Sequence, residues 1–260
     1  MRVSIVGTGN VGYHLTAMLR NIKSVHLVNI LGTTLAKAKT IRGQQQTIHV
    51  DSVGQLLAVD YLIIAVSDAS IASVSKALAA NDKLEDTIIC HTSGSTSSAV
   101  LATHRLYGVL YPLQTFTKGQ RMGYRNIPMC ICANSDQATS DLASLAALIS
   151  DDVRPISDSQ RAAIHLSAVV ANNFINHIIH LAQQRLQHLG IDADILTPLI
   201  EQTVKKAANI GALSAQTGPA KRADQAVLSQ QMAALHKEEH ILSIYKAVTD
   251  SILHTYNHKS

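Results

Sequence analysis

The stretch "SIVGTGNVG", Ser4 to Gly12, sets Gly7, Gly9 and Gly12 in the spacing G-x-G-x-x-G, directly after a short β-branched run and at the start of a helical pattern. The first glycine allows a tight strand-to-helix turn. The second lets the backbone approach a pyrophosphate, and the third lets helix and strand pack closely. Free amides and the positive end of the helix dipole then face the phosphates. Gly7, Thr8, Gly9, Asn10, Val11 and Gly12 are therefore expected to hold a dinucleotide, the alternative being a purely structural glycine turn.

Working outward, "VHLVNILG", "TIHV", "YLIIAV", "TIICH", "YGVLYP" and "MCICA" read as further strands. They are continuous apolar runs, as parallel strands covered on both faces require. "VGYHLTAMLRN", "TLAKAKTIRG", "DASIASVSKALAAN" and "SSAVLATH" have helical spacing between them. This alternation predicts a doubly wound α/β domain over residues 1–155. Beyond "VRPIS" the strand signal stops. Helical periodicity runs from about Ser159 to Leu189, with Gly190 as a C′ stop, then over about 194–208, 223–236 and 238–257. Residues 156–260 are thus expected to form an all-α domain, with 211–222 as a polar loop.

The totals of 260 residues, 47% hydrophobic and 15% charged, suit two modest domains. A net charge of +4, from singly scattered basic residues, argues against a nucleic-acid surface and for a small anionic ligand. No run of about 18 residues is free of polar groups, so no membrane span is expected. The apolar run after Met1 and Arg2 is too short for a signal peptide and ends in glycines. Cys90, Cys130 and Cys132 offer neither a disulfide framework nor zinc spacing, so a reduced, cytoplasmic protein without metal is expected. Cys130 and Cys132 alternate as strand neighbours on one face, which reads as packing.

In an open α/β sheet, ligands bind at the carboxyl ends of the strands. After the second strand an NAD site usually carries Asp or Glu, whereas "LGTTLAKAK" offers Thr33 and Thr34, with Lys37 and Lys39 close in sequence. That favours NADP(H), although both threonines could simply cap the next helix. Val66 and Ser67 should lie along the cofactor, Asp68 being explained by capping. "CHTSGST" brings His91, Thr92 and Ser93 to the same edge, to hold nicotinamide and substrate or to cap a helix. "YPLQTFTKG" supplies Gln114 and Thr115 as a substrate wall.

"HLSAVVANNFINH", His165 to His177, is apolar nearly all round except for a few polar residues. On a wheel of about 100° per residue, Asn172 and Asn176 fall within roughly 20° of His165, with His180 and Asn173 beside them. An unpartnered amide in a buried helix would cost roughly 2–7 kcal/mol. The stripe must meet a loop, water or a ligand. Beside a nicotinamide, which exchanges hydride, His165 suits proton donation, with Asn172 and Asn176 orienting a carbonyl and Asn173 contacting substrate. His91 is the rival acid.

GTGNVG, HTSGS, YPLQTF, IHLSAVVANNFINH and QTGPAKRAD together resemble a bacterial family of Rossmann-like proteins with a C-terminal helical domain of unknown function. The wider group contains pyrroline-5-carboxylate reductase, deazaflavin-dependent NADP oxidoreductase, prephenate dehydrogenase and 6-phosphogluconate dehydrogenase. The resemblance covers essentially the whole chain. It implies an NADP-linked enzyme that forms a homodimer through the helical domain, with Gln216 and Arg222 or Lys221 on a loop returning to the substrate. Some members resemble ketopantoate reductases, so a small 2-oxo acid is the implied substrate; an imine reductase, a prephenate-type dehydrogenase or a non-catalytic NADP(H) sensor are the alternatives. One departure stands out. Relatives carry a catalytic lysine about one turn before an asparagine of the long helix, where this chain has Ala168 and Val169.

Overall fold

In the computed structural model, which describes residues 1–257, one eight-stranded sheet is flanked by helices and followed by an all-helical segment. The strands are β1 (Arg2–Val6), β2 (His26–Leu31), β3 (Ile48–Val50), β4 (Tyr61–Ile64), β5 (Ile88–His91), β6 (Leu106–Pro112), β7 (Met129–Ala133) and β8 (Val153–Pro155). Their spatial order is β3-β2-β1-β4-β5-β6-β7-β8. Chain reversal on either side of β1 creates a crevice at the carboxyl ends of β1 and β4.

The continuous apolar runs are explained by two cores, one on each face. Val3, Ile5, Ile63, Cys90 and Leu110 pack with Leu15 and Leu19 of α1 (Asn10–Leu19) and Leu142 and Leu145 of α4 (Asp136–Ile149). Val6, Leu62, Ile64 and Ile89 pack with Ile71 and Leu78 of α3 (Asp68–Leu78) on the other. The short α2 (Leu35–Lys39) follows β2. Cys130 joins Val109 and Tyr111 in a third cluster with Cys132 against it, so both thiols are packing groups; burial pushes that of Cys132 up to about 11.

Three features depart from the sequence reading. α4 and β8 have no counterpart among the expected elements, and β8 lies where the domain junction is expected. β7 runs antiparallel to β6, with Tyr111 opposite Cys130, because the loop 113–128 returns to the sheet without a helical crossover. The expected helix "SSAVLATH" is one 3₁₀ turn, Ser98–Leu101.

Two compact units divide the chain between Asn173 and Phe174, not at 155. The division falls inside the long helix, made of α5 (Asp158–Ala168), a π-helical stretch (Val169–Phe174) and α6 (Ile175–His188). α5 stays with the sheet because it is clasped to it. Ser157 and Gln160 form a capping box at its start. Arg161, only 1% exposed, donates to Asp158 Oδ1 at 2.6 Å and to the Thr96 carbonyl in the loop after β5. Asp158 also accepts from Ser97 Oγ at 2.6 Å and from the Ser98 amide at 2.8 Å. Burial alone would raise its pKa; the bonds from Ser97, Arg161 and Ser98 outweigh it and hold the carboxyl well below the usual range.

The second unit contains α6, α7 (Thr197–Ile210), α8 (Ala212–Ala215), α9 (Gln225–Ala234) and α10 (Glu239–Asn257). Gly190 stops α6 in the left-handed conformation, φ +72°, as expected. By length and composition alone, residues 158–188 are apolar enough to cross a membrane, contrary to the sequence expectation. Asn172, Asn173 and Asn176 lie at the middle of that helix, where lipid offers amides no partners. Nor is the helix a buried rod: Leu166, Val170, Phe174 and Ile175 are 45–66% exposed. Apolar periodicity states that a face needs cover, not what covers it.

Arg161→Ala leaves the Asp158 charge without its guanidinium. It is expected to lower the unfolding free energy by about 2–4 kcal/mol, the loss being moderated by Asp158's partial exposure. A carboxyl depressed in the folded state stabilises it above about pH 4 and ceases to as pH falls. Urea unfolding should therefore show wild-type stability declining below about pH 4, and declining less in Asp158→Asn.

Candidate functional site

The carboxyl edge of the sheet carries two cavities, both within the first unit. The first, about 660 Å³, lies over β1, β2 and β4. Of the residues proposed from the sequence to hold a cofactor, Gly7, Thr8, Gly9, Asn10, Val11, Thr33, Val66 and Ser67 line it. The glycines divide the work as their spacing implies. Gly7 has φ +115°, and a Cβ there would overlap the Ala65 carbonyl. A Cβ on Gly12 would overlap the Gly7 carbonyl, so this glycine serves packing and does not line the cavity. At Gly9 a Cβ would meet nothing within 4 Å. Nothing in the chain thus forces a glycine here, and the position lies at the N-terminus of α1, open to a ligand. This cradle fits a pyrophosphate.

Thr34 and Thr92 are corrections. Thr34 caps α2 by accepting from the Lys37 amide at 3.2 Å, and Thr92 turns its hydroxyl to the Ile64 carbonyl at 3.4 Å; neither lines the cavity. Sequence reading missed Asp51, Val53, Ser70 and Ser73 in the lining. Asp51 follows β3, so its place at a strand's carboxyl end was the available signal. It is the only formally charged residue in that lining.

The second cavity, about 700 Å³, is lined by Tyr111, Gln114, Thr115, His165, Ser167, Asn172 and Asn173 among others. His165 reaches it because α5 is clasped to the loop after β5. A Cβ on Gly94 of that loop would overlap the His165 imidazole. Tyr111, which lies near the end of β6, places its hydroxyl 3.0 Å from His165 Nδ1. Asn172 donates to Asn173 Oδ1 at 3.1 Å. The lining carries no Lys, Arg, Asp or Glu, so its polar contacts are amides, hydroxyls and one imidazole. Tyr111 and Ser167 were not anticipated, since a strand tyrosine among apolar neighbours reads as core.

The predicted stripe divides. Asn172 and Asn176 are both exposed, but only Asn172 lines the cavity with His165, Asn176 falling in the second unit. The wheel assumed a regular α-helix, but the π-helical stretch, bonded i→i+5, inserts a residue and rotates the later turns by roughly 100°. His91 and Ser93 are also corrections. His91 is fully buried, its Nδ1 accepts from the Ser93 amide at 3.1 Å, and its Nε2 lies 3.4 Å from the Ser97 carbonyl. Burial, with repulsion from Arg161, lowers its pKa to about 4, so the ring stays neutral. Ser93 Oγ accepts from the amides of Ser95 and Thr96. Both residues shape the loop, and neither lines a cavity. In the second unit Arg222 is exposed, Gln216 is half-buried, and Lys221 is tied to the Gln216 carbonyl at 2.8 Å and to the Tyr256 ring.

Family profiles match residues 1–114 as a Rossmann-like domain and residues 127–252 as a domain of unknown function, DUF2520. The chain joins a Rossmann-like domain to a DUF2520 domain. No curated protein matches the sequence. Among solved structures, a protein of Bacteroides fragilis described as a candidate NADP oxidoreductase is 27% identical, with a TM-score of 0.89 over 97% of this chain and 98% of that one. A reductive aminase of Aspergillus terreus, solved with NADPH and ethyl-5-oxohexanoate, is 16% identical, with a TM-score of 0.71 over 98% and 94%. A 1-pyrroline-5-carboxylate reductase of Streptococcus pyogenes is 17% identical, with a TM-score of 0.62 over 97% and 98%. The last two likenesses concern the fold alone. The DUF2520 match begins near β7 and includes the helix that carries His165.

Gly9→Ala tests the cradle. Its backbone, φ −75° and ψ −167°, suits any residue, so the variant should keep its unfolding free energy within about 1 kcal/mol of wild type. NADPH affinity, followed by fluorescence titration, should fall roughly tenfold or more, since one methyl takes the place of the phosphate.

Proposed function

We propose that this protein is an NADP(H)-dependent oxidoreductase that reduces the carbonyl of a small anionic 2-oxo acid, with ketopantoate the first compound to test. One observation carries the reading: a glycine cradle open to an outside ligand and a largely apolar cavity bearing a histidine lie on the carboxyl edge of the same sheet. Gly7, Thr8, Gly9 and Asn10 would hold the pyrophosphate, and Thr33 the ribose end. No carboxylate ends β2, which favours NADP(H) over NAD(H). When bound, the nicotinamide supplies hydride. His165 holds a proton at the cavity for the substrate oxygen. Asn172, Gln114 and Thr115, all three exposed, orient the carbonyl through neutral hydrogen bonds.

Reduction of a C=N bond is the second reading, favoured by the uncharged lining and by Ala168 and Val169 in the place of a lysine. An iminium carbon is already activated and needs no proton on a developing oxyanion. The three cysteines are free, which suits work in the reducing cytoplasm.

Purified protein given NADPH, with a panel of 2-oxo acids, cyclic imines and prephenate-like acids, separates these readings by loss of nicotinamide absorbance. His165→Ala should lower kcat on an accepted oxo acid by roughly 10²–10⁴ while NADPH affinity stays within about twofold. An unchanged kcat overturns His165 as proton donor. NADPH binding with no turnover on any member of the panel would make the protein a sensor.

We further propose that it works as a homodimer through the second unit. Ile195, Leu199, Val204, Ile210 and Leu213 are 54–69% exposed there, more apolar surface than a solitary domain usually leaves to water. Sedimentation equilibrium should give twice the chain mass of 27.9 kDa. Leu199→Asp with Leu213→Asp should yield monomers.

A further inference from the structure

His165 is held from two sides. Against one lies Gly94, whose missing Cβ leaves the space that the imidazole fills. On the other, Tyr111 Oη stands 3.0 Å from Nδ1, with the two rings edge to face at a centroid distance of 5.9 Å. Tyr111 is 8% exposed, and its hydroxyl has no other hydrogen-bond partner among the described residues. His165 Nε2 has none at all among them, and the residue lines the second cavity. Burial pushes the Tyr111 phenol up, with Cys130 and Asp68 adding to the effect and Arg161 opposing it, so the hydroxyl keeps its proton.

A neutral imidazole has one donor nitrogen and one acceptor nitrogen, and the partner of either settles which is which. Nδ1 has one hydrogen-bond neighbour among the described residues, a phenol, which is a better donor than acceptor and so favours the neutral ring with its proton on Nε2. The phenol donates to Nδ1 when the ring is neutral and turns to accept from it when the ring is cationic. Nε2 carries a proton in both resting states, and it is the cation that transfers it: the ring is then left neutral with its proton on Nδ1, donated to the Tyr111 oxygen, until solvent restores the resting form. We propose that Tyr111 is a positioning residue that keeps the transferable proton of His165 on Nε2, available to the cavity. This rests on the reading of His165 as proton donor. Here Tyr111 fixes the atom from which the proton leaves and the ring plane in which it points. The role resembles that of the groups that orient metal-bound or catalytic histidines elsewhere, with a phenol in place of a carboxylate.

Long-range ¹H–¹⁵N correlation spectra of the uniformly labelled full chain test the proposal without any substrate. The His165 signals are assigned by their loss in His165→Gln. In wild-type protein, above the pH at which the ring loses its charge, Nε2 should appear protonated and Nδ1 as a hydrogen-bonded acceptor. In Tyr111→Phe the Nδ1 signal should move to the value of a free acceptor, while the thermal midpoint stays close to wild type. A proton on Nδ1 in wild type, or nitrogen shifts unmoved in Tyr111→Phe, overturns the proposal. Gly94→Ala is a second probe, because its methyl would push the imidazole from Tyr111 and should produce the same Nδ1 change. Where the panel yields a substrate, Tyr111→Phe should lower kcat about tenfold with little change in KM, and should add nothing to His165→Ala. Independent, additive losses would also overturn it. Absence of turnover would count against the proposed function alone, since the nitrogen shifts are read on the free protein.

Discussion

The clasp between Arg161 and the loop after β5 is the constraint on which the site depends. A guanidinium that is 1% exposed binds the Thr96 carbonyl and the Asp158 carboxylate, while Asp158 gathers Ser97 and Ser98 from the same loop. Charge-assisted bonds of this kind are directional and hold best where water is scarce. They fix the first turn of α5, and a rigid helix carries that placement one turn further to His165. Arg161 Nε has no hydrogen-bond partner among the described residues, so the clasp is carried by the two terminal nitrogens of the guanidinium.

Similar economy governs the glycine turn. Gly7 and Gly12 are bare because the Ala65 and Gly7 carbonyls approach them, which are requirements of the chain upon itself. Gly9 is bare although nothing in the chain approaches. Gly54 and Gly123 share that freedom, so it is the place of Gly9, in the G-x-G-x-x-G turn at the N-terminus of α1, that points to a ligand supplied from outside. The same sheet edge also provides His91, which desolvation and Arg161 keep neutral and which is used wholly inside its own loop. Two histidines near one edge thus meet opposite surroundings, His91 buried within its own loop and His165 lining a cavity.

Between His165 and Asn176 the helix changes its hydrogen bonding from i→i+4 to i→i+5. Asn172 and Asn173, which lie within that stretch, line the cavity with His165. π-Helical segments sit often at functional sites, where an inserted residue re-aims side chains.

The sequence by itself determined the alternating α/β plan, the dinucleotide turn and the helical second half. These rest on local spacing: two-residue and 3.6-residue periods, glycine geometry, and caps such as Gly190. Gly7, Gly9, Asn10, Gln114, Thr115 and His165 could be picked out because strand ends and polar interruptions mark them. Tertiary structure alone decided that β7 reverses, that Tyr111 meets His165, that Thr34 and Thr92 serve the chain itself, and that the polar stripe splits at the π-segment. Each depends on pairing between residues distant in the chain, or on a hydrogen-bond register that side-chain chemistry does not encode. Periodicity tells which face seeks cover; only the folded neighbours settle what each polar atom is bonded to.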